Sequence, residues 1–299
     1  MIRIEKIASF DAPELRPYAT MRRPVEHEAQ GIFVAEGEKV VRRLLESRFT
    51  VVSAVFWERW LEDFRPLLEA RPENITVYLA EKKWLETLTG FSMFQGVLAV
   101  GKIPSPASLE TFLQNSPSPR LLAAVDGLTS SENSGALVRN CVAFNVQALV
   151  VGETSTSPFL RRAVRNSMGA IFQLPVIDLR QRRLAGTGGP DCAQLAGGSP
   201  FRPFIGKTLA ETLRCLRQRA FYCIAADPGA SKTVFETDFT KDCCIVFGSE
   251  GGGISKAVRE ACNESVSVPM SEKVDSLNVG AAAAVFLYEV NRQRMRAKS

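Results

Sequence analysis

Past residue 120 the chain presents six short apolar runs, at 121–125, 148–151, 171–176, 221–225, 243–247 and 266–268, with stretches of helical character between them. Runs this short and this uniformly apolar are buried on both faces, as in a parallel sheet covered by helices on either side. The predicted fold class is α/β. Upstream, residues 32–35, 51–56 and 75–79 read as strands and 38–46 as a helix, which makes a smaller α/β unit. Between the two, Pro104, Pro106, Pro117 and Pro119 stand among serines, the composition of a linker. The expected organisation is an N-terminal domain over 1–103, a linker over 104–120 and a parallel-sheet domain over 121–299.

Composition narrows the class of function. With 299 residues, 45% apolar and 23% charged, the chain has the make-up of an ordinary globular protein that folds without staples. Its seven cysteines include no Cys-x-x-Cys pair and are odd in number, so neither a disulfide framework nor a metal site is expected. A reducing cytoplasm fits that usage. Arg3, Glu5 and Lys6 interrupt the first apolar stretch, which is therefore no secretory signal, and no run is long enough to cross a bilayer, so no membrane is expected. A net charge of +5 leans toward a polyanionic partner. Between Leu179 and Lys207 the chain carries Arg180, Arg182, Arg183 and Arg202 among glycines and prolines with no hydrophobic period. This reads as a long loop, either disordered or an arm that contacts RNA.

The run at 243–247 ends in Gly248-Ser249-Glu250-Gly251-Gly252-Gly253-Ile254-Ser255, and the carboxyl end of a parallel strand is where such a sheet presents a ligand. Gly248 and Gly253 have the spacing of a phosphate-cradling loop. However, Ile254 and Ser255 stand where that motif needs lysine and a hydroxyl residue, and Glu250 would repel a phosphate. The dinucleotide pattern fails as well, because Lys256 occupies the place of its third small residue. Two readings remain: a small neutral or cationic ligand held largely by backbone groups, or a strand-to-helix turn that binds nothing.

Three separated phrases decide between them. Asn133-Ser134-Gly135-Ala136-Leu137-Val138-Arg139, the glycine-rich loop, and Pro269-Met270 with Ser276-Leu277-Asn278 resemble, in order and spacing, the three signature motifs of the SpoU (TrmH) family of knotted RNA ribose methyltransferases. Arg165-Asn166-Ser167-Met168-Gly169-Ala170 also looks like a family stretch. Residues 31–37 and 95–100 are similar to the start and end of the family's accessory RNA-binding domain, so the resemblance covers most of the chain. It implies a deep trefoil knot in the C-terminal sheet, which the general rule that chains do not thread loops would never supply. It also implies S-adenosylmethionine bound in the knot, and a homodimer.

The chemistry so implied is methyl transfer to a ribose 2′-hydroxyl. Carried over onto this sequence, the cofactor contacts are Gly248, Val268 and Leu277, with Phe247 and Met270 beside them; the catalytic set is Arg139, Asn133, Glu250, Ser276 and Asn278. An alcohol needs a base or a site that stabilises its alkoxide. The one histidine, His27, lies among Glu26 and Glu28 in the N-terminal region and reads as a solvated surface residue. Arg139 is a poor base, since a guanidinium deprotonates only above pH ~12. It is better read as a clamp on the neighbouring phosphate that stabilises charge on the 2′-oxygen. Asn133 would cap the helix that carries Arg139 or hold that side chain, Glu250 would fix the glycine loop or pair with Arg139, and Ser276 and Asn278 would cap the last helix. Accessory domains of this type accompany family members acting on large ribosomal RNA, which is the favoured substrate. A transfer-RNA ribose methyltransferase and a non-catalytic RNA-binding relative are the alternatives. The segment after Leu179 looks like an insertion and leaves the target open.

Overall fold

The structure, a computed structural model, describes residues 2–89, 95–180 and 208–297. Its chain divides into two compact units, one formed by 1–105, 130–143 and 156–174, the other by 106–129, 144–155 and 175–299. Most of the arginine-bearing loop, residues 181–207, lies outside the described residues. Among the described residues no helix is long and apolar enough to cross a membrane.

In the first unit, strands β1 (Ile2–Lys6), β2 (Ile32–Glu36), β3 (Val51–Trp57), β4 (Ile75–Ala80) and β5 (Val97–Lys102) form a sheet of order β1-β4-β3-β5-β2. β1, β4 and β3 run parallel, while β5 is antiparallel to both β3 and β2. Apolar residues at helical spacing on Glu38–Glu46 bury Val40, Val41, Leu44 and Leu45, and the opposite face keeps an Arg42–Glu38 pair at 3.4 Å. Helices Ser131–Ala143 and Arg161–Asn166 belong to this unit and pack on each other. A Cβ at Gly135 would lie 2.6 Å from the Ala163 carbonyl oxygen and from the Asn166 Cβ, so only glycine lets the two helices approach this closely. Glu36, buried at the end of β2, takes Arg161 on one carboxylate oxygen and Arg165, at 2.8 Å, on the other.

The second unit holds β6 (Leu121–Val125), β7 (Ala148–Val151), β8 (Val176–Asp178), β9 (Tyr222–Ala226), β10 (Cys243–Phe247) and β11 (Glu264–Val266), in the order β11-β9-β10-β6-β7-β8. Every pair in this sheet is parallel. Leu109, Phe112 and Leu113 of helix Leu109–Asn115, inside the stretch read as a linker, are buried with Leu122, Cys244 and Leu213 in its core. Burial pushes the Cys243 and Cys262 thiols up to about 12, so both stay protonated near neutral pH and are inert as nucleophiles.

Three expectations need correction. The run at 171–176 is not one strand: Ala170–Gln173 is a 3-10 turn opened by Gly169 at φ +78, and β8 begins only at Val176. Phe172 instead joins Phe33 and Phe49 in an aromatic cluster of the first unit, with ring centroids 5.5 and 5.3 Å away. The last strand ends at Val266 rather than 268, and Ser267 instead forms an isolated parallel bridge with Thr233, its backbone bonded to Lys232 and Val234 at 2.9 and 2.8 Å. His27 is buried, not solvated, with its ring Nε2 3.3 Å from the Thr20 hydroxyl. Burial holds its pKa below the usual imidazole value.

Candidate functional site

β10 is apolar from end to end and ends at the first glycine of the loop, where the backbone has to fold over itself. A Cβ at Gly248 would run into the backbone of Gly253 and Ile254. The loop is closed by reciprocal bonds between Ser249 and Gly253, both 3.0 Å, and the Ser249 hydroxyl accepts from Gly252 N at 3.1 Å. Gly253 sits at φ +62, the left-handed region that side chains disfavour. From the end of β6, buried Asp126 donates its N–H to the Phe247 carbonyl and accepts Ser255 N on its carboxylate at 2.8 Å. Loop and sheet are thereby joined, and the start of helix Lys256–Ala261 receives an acceptor from outside its own sequence.

Above this loop opens a cleft of about 220 Å³. Phe247, Val266, Val268, Met270, Leu277, Val279 and Phe286 supply apolar wall, and Phe247 meets Phe286 edge to face at 6.0 Å. Its polar lining consists of Asp227, Ser249, Glu250 and Ser276, and among the described residues no lysine, arginine or histidine lines it. Of the two carboxylates, Asp227 is paired with Arg259 at 2.7 Å and Glu250 faces the opening beside it, a lining that is a poor home for a triphosphate and a better one for a neutral or cationic ligand. The Asn278 side chain caps helix Val279–Arg296, its Oδ1 accepting Gly280 N at 2.9 Å, while its Nδ2 donates to Glu250 Oε1 at 3.0 Å. One amide thus ties the glycine loop to the mouth of the last helix.

Of the residues picked out from sequence, Phe247, Gly248, Glu250, Val268, Met270, Ser276 and Leu277 all line this cleft, and Asn278 is bonded to one of them. Arg139 and Asn133 stand on helix Ser131–Ala143 in the first unit and are not lining residues. Arg139 is exposed. Asn133 does not cap that helix: the Ser130 hydroxyl accepts the Asn133 N–H at 3.3 Å and fills the role, one residue before the helix begins. Sequence reasoning missed Asp227, which follows β9 without a motif around it; its only signal was an acidic residue directly after an apolar run. Among the described residues no group of three or more His, Cys, Asp or Glu is arranged to hold a metal ion.

The chain is similar to known proteins in sequence and in fold. A model of the SpoU rRNA Methylase family matches residues 120–185 and 196–288. The 23S rRNA (guanosine-2′-O-)-methyltransferase RlmB of Pasteurella multocida is 30% identical over 236 residues, 77% of this chain and 85% of its own. Its namesake from Pectobacterium atrosepticum is 28% identical over 264 residues, 86% of this chain and 97% of its own. In fold, the chain is similar to the SpoU methyltransferase AviRb from Streptomyces viridochromogenes, solved in complex with AdoMet. That match has a TM-score of 0.74 and 20% identity, and it covers 95% of this chain and 98% of the other.

Proposed function

The chain belongs to the SpoU rRNA methylase family, and on that premise we propose that it methylates a ribose 2′-hydroxyl of large-subunit ribosomal RNA with S-adenosylmethionine as donor. The observation that carries this reading is the cleft, where two separate sequence motifs meet around a largely apolar lining that, among the described residues, includes Asp227 and Glu250 and no basic side chain. The residues fit the donor: strand-end backbone groups offer fixed donors and acceptors at Gly248 and Val268, and Val268, Met270 and Leu277 give apolar cover. When bound, the cofactor supplies an electrophilic methyl group. Gly248, Val268 and Leu277 hold it from the main chain, with Phe247 and Met270 packing alongside.

Arg139 acts as an electrostatic clamp, orienting the phosphate beside the target sugar and stabilising negative charge on the attacking oxygen. Asn133 supports Arg139 from the same helix, and Glu250, Ser276 and Asn278 hold the mouth of the cleft in shape. Residues 1–103 form the RNA-binding domain and 121–299 the methyltransferase domain. The latter is threaded as a deep trefoil knot and pairs into a homodimer in the cytoplasm. The bonding of Ser267 to the 232–234 segment supports the knot, as does the contact of Gln293, on the last helix, with Thr237 and Phe239. A ribosomal target is supported by the 23S rRNA methyltransferase relatives, whose matches span 77–86% of this chain.

Calorimetry with S-adenosylmethionine, S-adenosylhomocysteine and ATP tests the cofactor, with binding of the first two and not the third expected. Mapping ribose methylation across total RNA from cells with and without the gene tests the target. Loss of one large-subunit ribosomal site is expected, and loss confined to transfer RNA would replace that substrate.

A further inference from the structure

Resting on the cofactor assignment above, we propose that Asp227 reads the ribose of the donor, its carboxylate accepting hydrogen bonds from the vicinal 2′- and 3′-hydroxyls. Asp227 directly follows the last residue of β9, and β9 pairs in parallel with β10, so both strands deliver their carboxyl ends to one cleft that Asp227 and Gly248 line together. That cleft end is where a doubly wound sheet meets its ligand.

The side chain is held for the task. One carboxylate oxygen accepts Gly229 N at 3.0 Å and the other meets Arg259 Nη1 at 2.7 Å, with the side chain only 15% exposed. Its own N–H is bound to the Val266 carbonyl at 3.0 Å and its carbonyl to Ala230 N at 3.1 Å, which fixes the backbone beneath it. A carboxylate offers roughly four lone-pair sites. Two are used here, and two hydroxyls need two more.

Arg259 also decides which part of the donor Asp227 faces. A guanidinium in contact cancels most of the carboxylate's field, so Asp227 is a weak counter-ion for the sulfonium or the ammonium group. Its capacity to accept from neutral hydroxyls is untouched. Ser249 and Ser276, the lining hydroxyls, can donate as readily as accept and so discriminate poorly between a sugar oxygen and a water. An acceptor-only group whose partner is removed is left unpaired in a recessed site, so analogues lacking the hydroxyl are rejected.

The test is calorimetric and uses the full chain with S-adenosylhomocysteine and its 2′-deoxy and 3′-deoxy analogues. Wild-type protein should bind each deoxy analogue about ten- to a hundredfold more weakly, the range for a hydrogen bond to a charged group. Asp227→Ala should weaken S-adenosylhomocysteine by a similar factor and bring the three ligands to within about twofold of one another. Arg259→Met removes the ion pair but keeps the acceptor, and it should retain the wild-type preference for the diol. Equal wild-type affinities for ribo and deoxy ligands would overturn the proposal, as would a preserved gap in a folded Asp227→Ala protein. If thermal unfolding shows that Asp227→Ala does not fold, the Arg259→Met result decides: a retained gap supports the role, a lost one overturns it. Failure of the wild type to bind S-adenosylhomocysteine at all sinks the cofactor assignment and this role with it, whereas a missing diol gap alone sinks only the latter.

Discussion

The clamp role proposed for Arg139 rests on charge and geometry, which separates its effect on turnover from its effect on the donor. Arg139→Ala should lower methyl transfer by about 10²- to 10³-fold, the cost of one lost charge-stabilising donor. The affinity for S-adenosylhomocysteine should stay within about twofold, since Arg139 does not line the cleft. Single-turnover methylation beside calorimetry checks both, and near-wild-type rates would remove Arg139 from the mechanism. His27 gives a second single-residue outcome. Burial lowers its folded pKa below the unfolded value, so between those two values the unfolded chain binds the extra proton. Its contribution to stability is therefore complete above about pH 6.5, the unfolded imidazole value, and declines as pH falls toward the folded pKa. As the chain has one histidine, His27→Gln should flatten this part of the stability profile, as measured by urea unfolding between pH 5 and 7. A profile unchanged by the substitution would show that the ring charges freely in the fold.

The elements were legible to the degree that each serves one purpose. β6, β7 and β10 have the bounds expected from sequence, since strands covered on both faces are apolar throughout and stop where the apolar run stops. The 171–176 run misled because Ile171 and Phe172 are buried in a turn of the first unit, and only the residues after Pro175 join the sheet. β1 went unread because Arg3, Glu5 and Lys6 mask its two isoleucines, as befits an edge strand. The cleft was legible at Gly248, Val268 and Leu277 because motifs mark them; Asp227 and Asp126 have no such marker, and only the folded backbone brings them to the loop. Helix Val279–Arg296 shows what sequence could not: Gln293 accepts Phe239 N at 2.9 Å and donates to Thr237 O at 2.9 Å and to Glu289 at 2.8 Å. Gln293→Ala leaves those backbone groups unpaired and should cost about 2 kcal/mol. Urea midpoints at constant slope would check this, and a loss below 0.5 kcal/mol, the scatter of ordinary surface substitutions, would count the latch as ornamental.

At the scale of the whole chain, the question is whether the bonds that gather the cleft also thread it. Hydrophobic pattern and register specify that β11 lies beside β9 and β9 beside β10. They are silent on which side of the 227–242 segment the chain passes before Val279, because a threaded and an unthreaded path can bury the same side chains. Ser267 bonded to Lys232 and Val234, followed by a last helix bonded to Thr237 and Phe239, holds that segment from two sides. A trefoil threaded as proposed would persist when the native contacts are lost, since a knot is undone only by withdrawing an end. Pulled by its two termini beyond unfolding, the chain should extend to less than the roughly 3.3–3.6 Å per residue of an open polypeptide. The shortfall should equal the segment locked in the tightened knot. Attaching the second handle within the 208–220 region, before the proposed threading, should restore full extension per residue between the handles. Full extension from both termini would show an open path, and the cleft would then rest on packing alone.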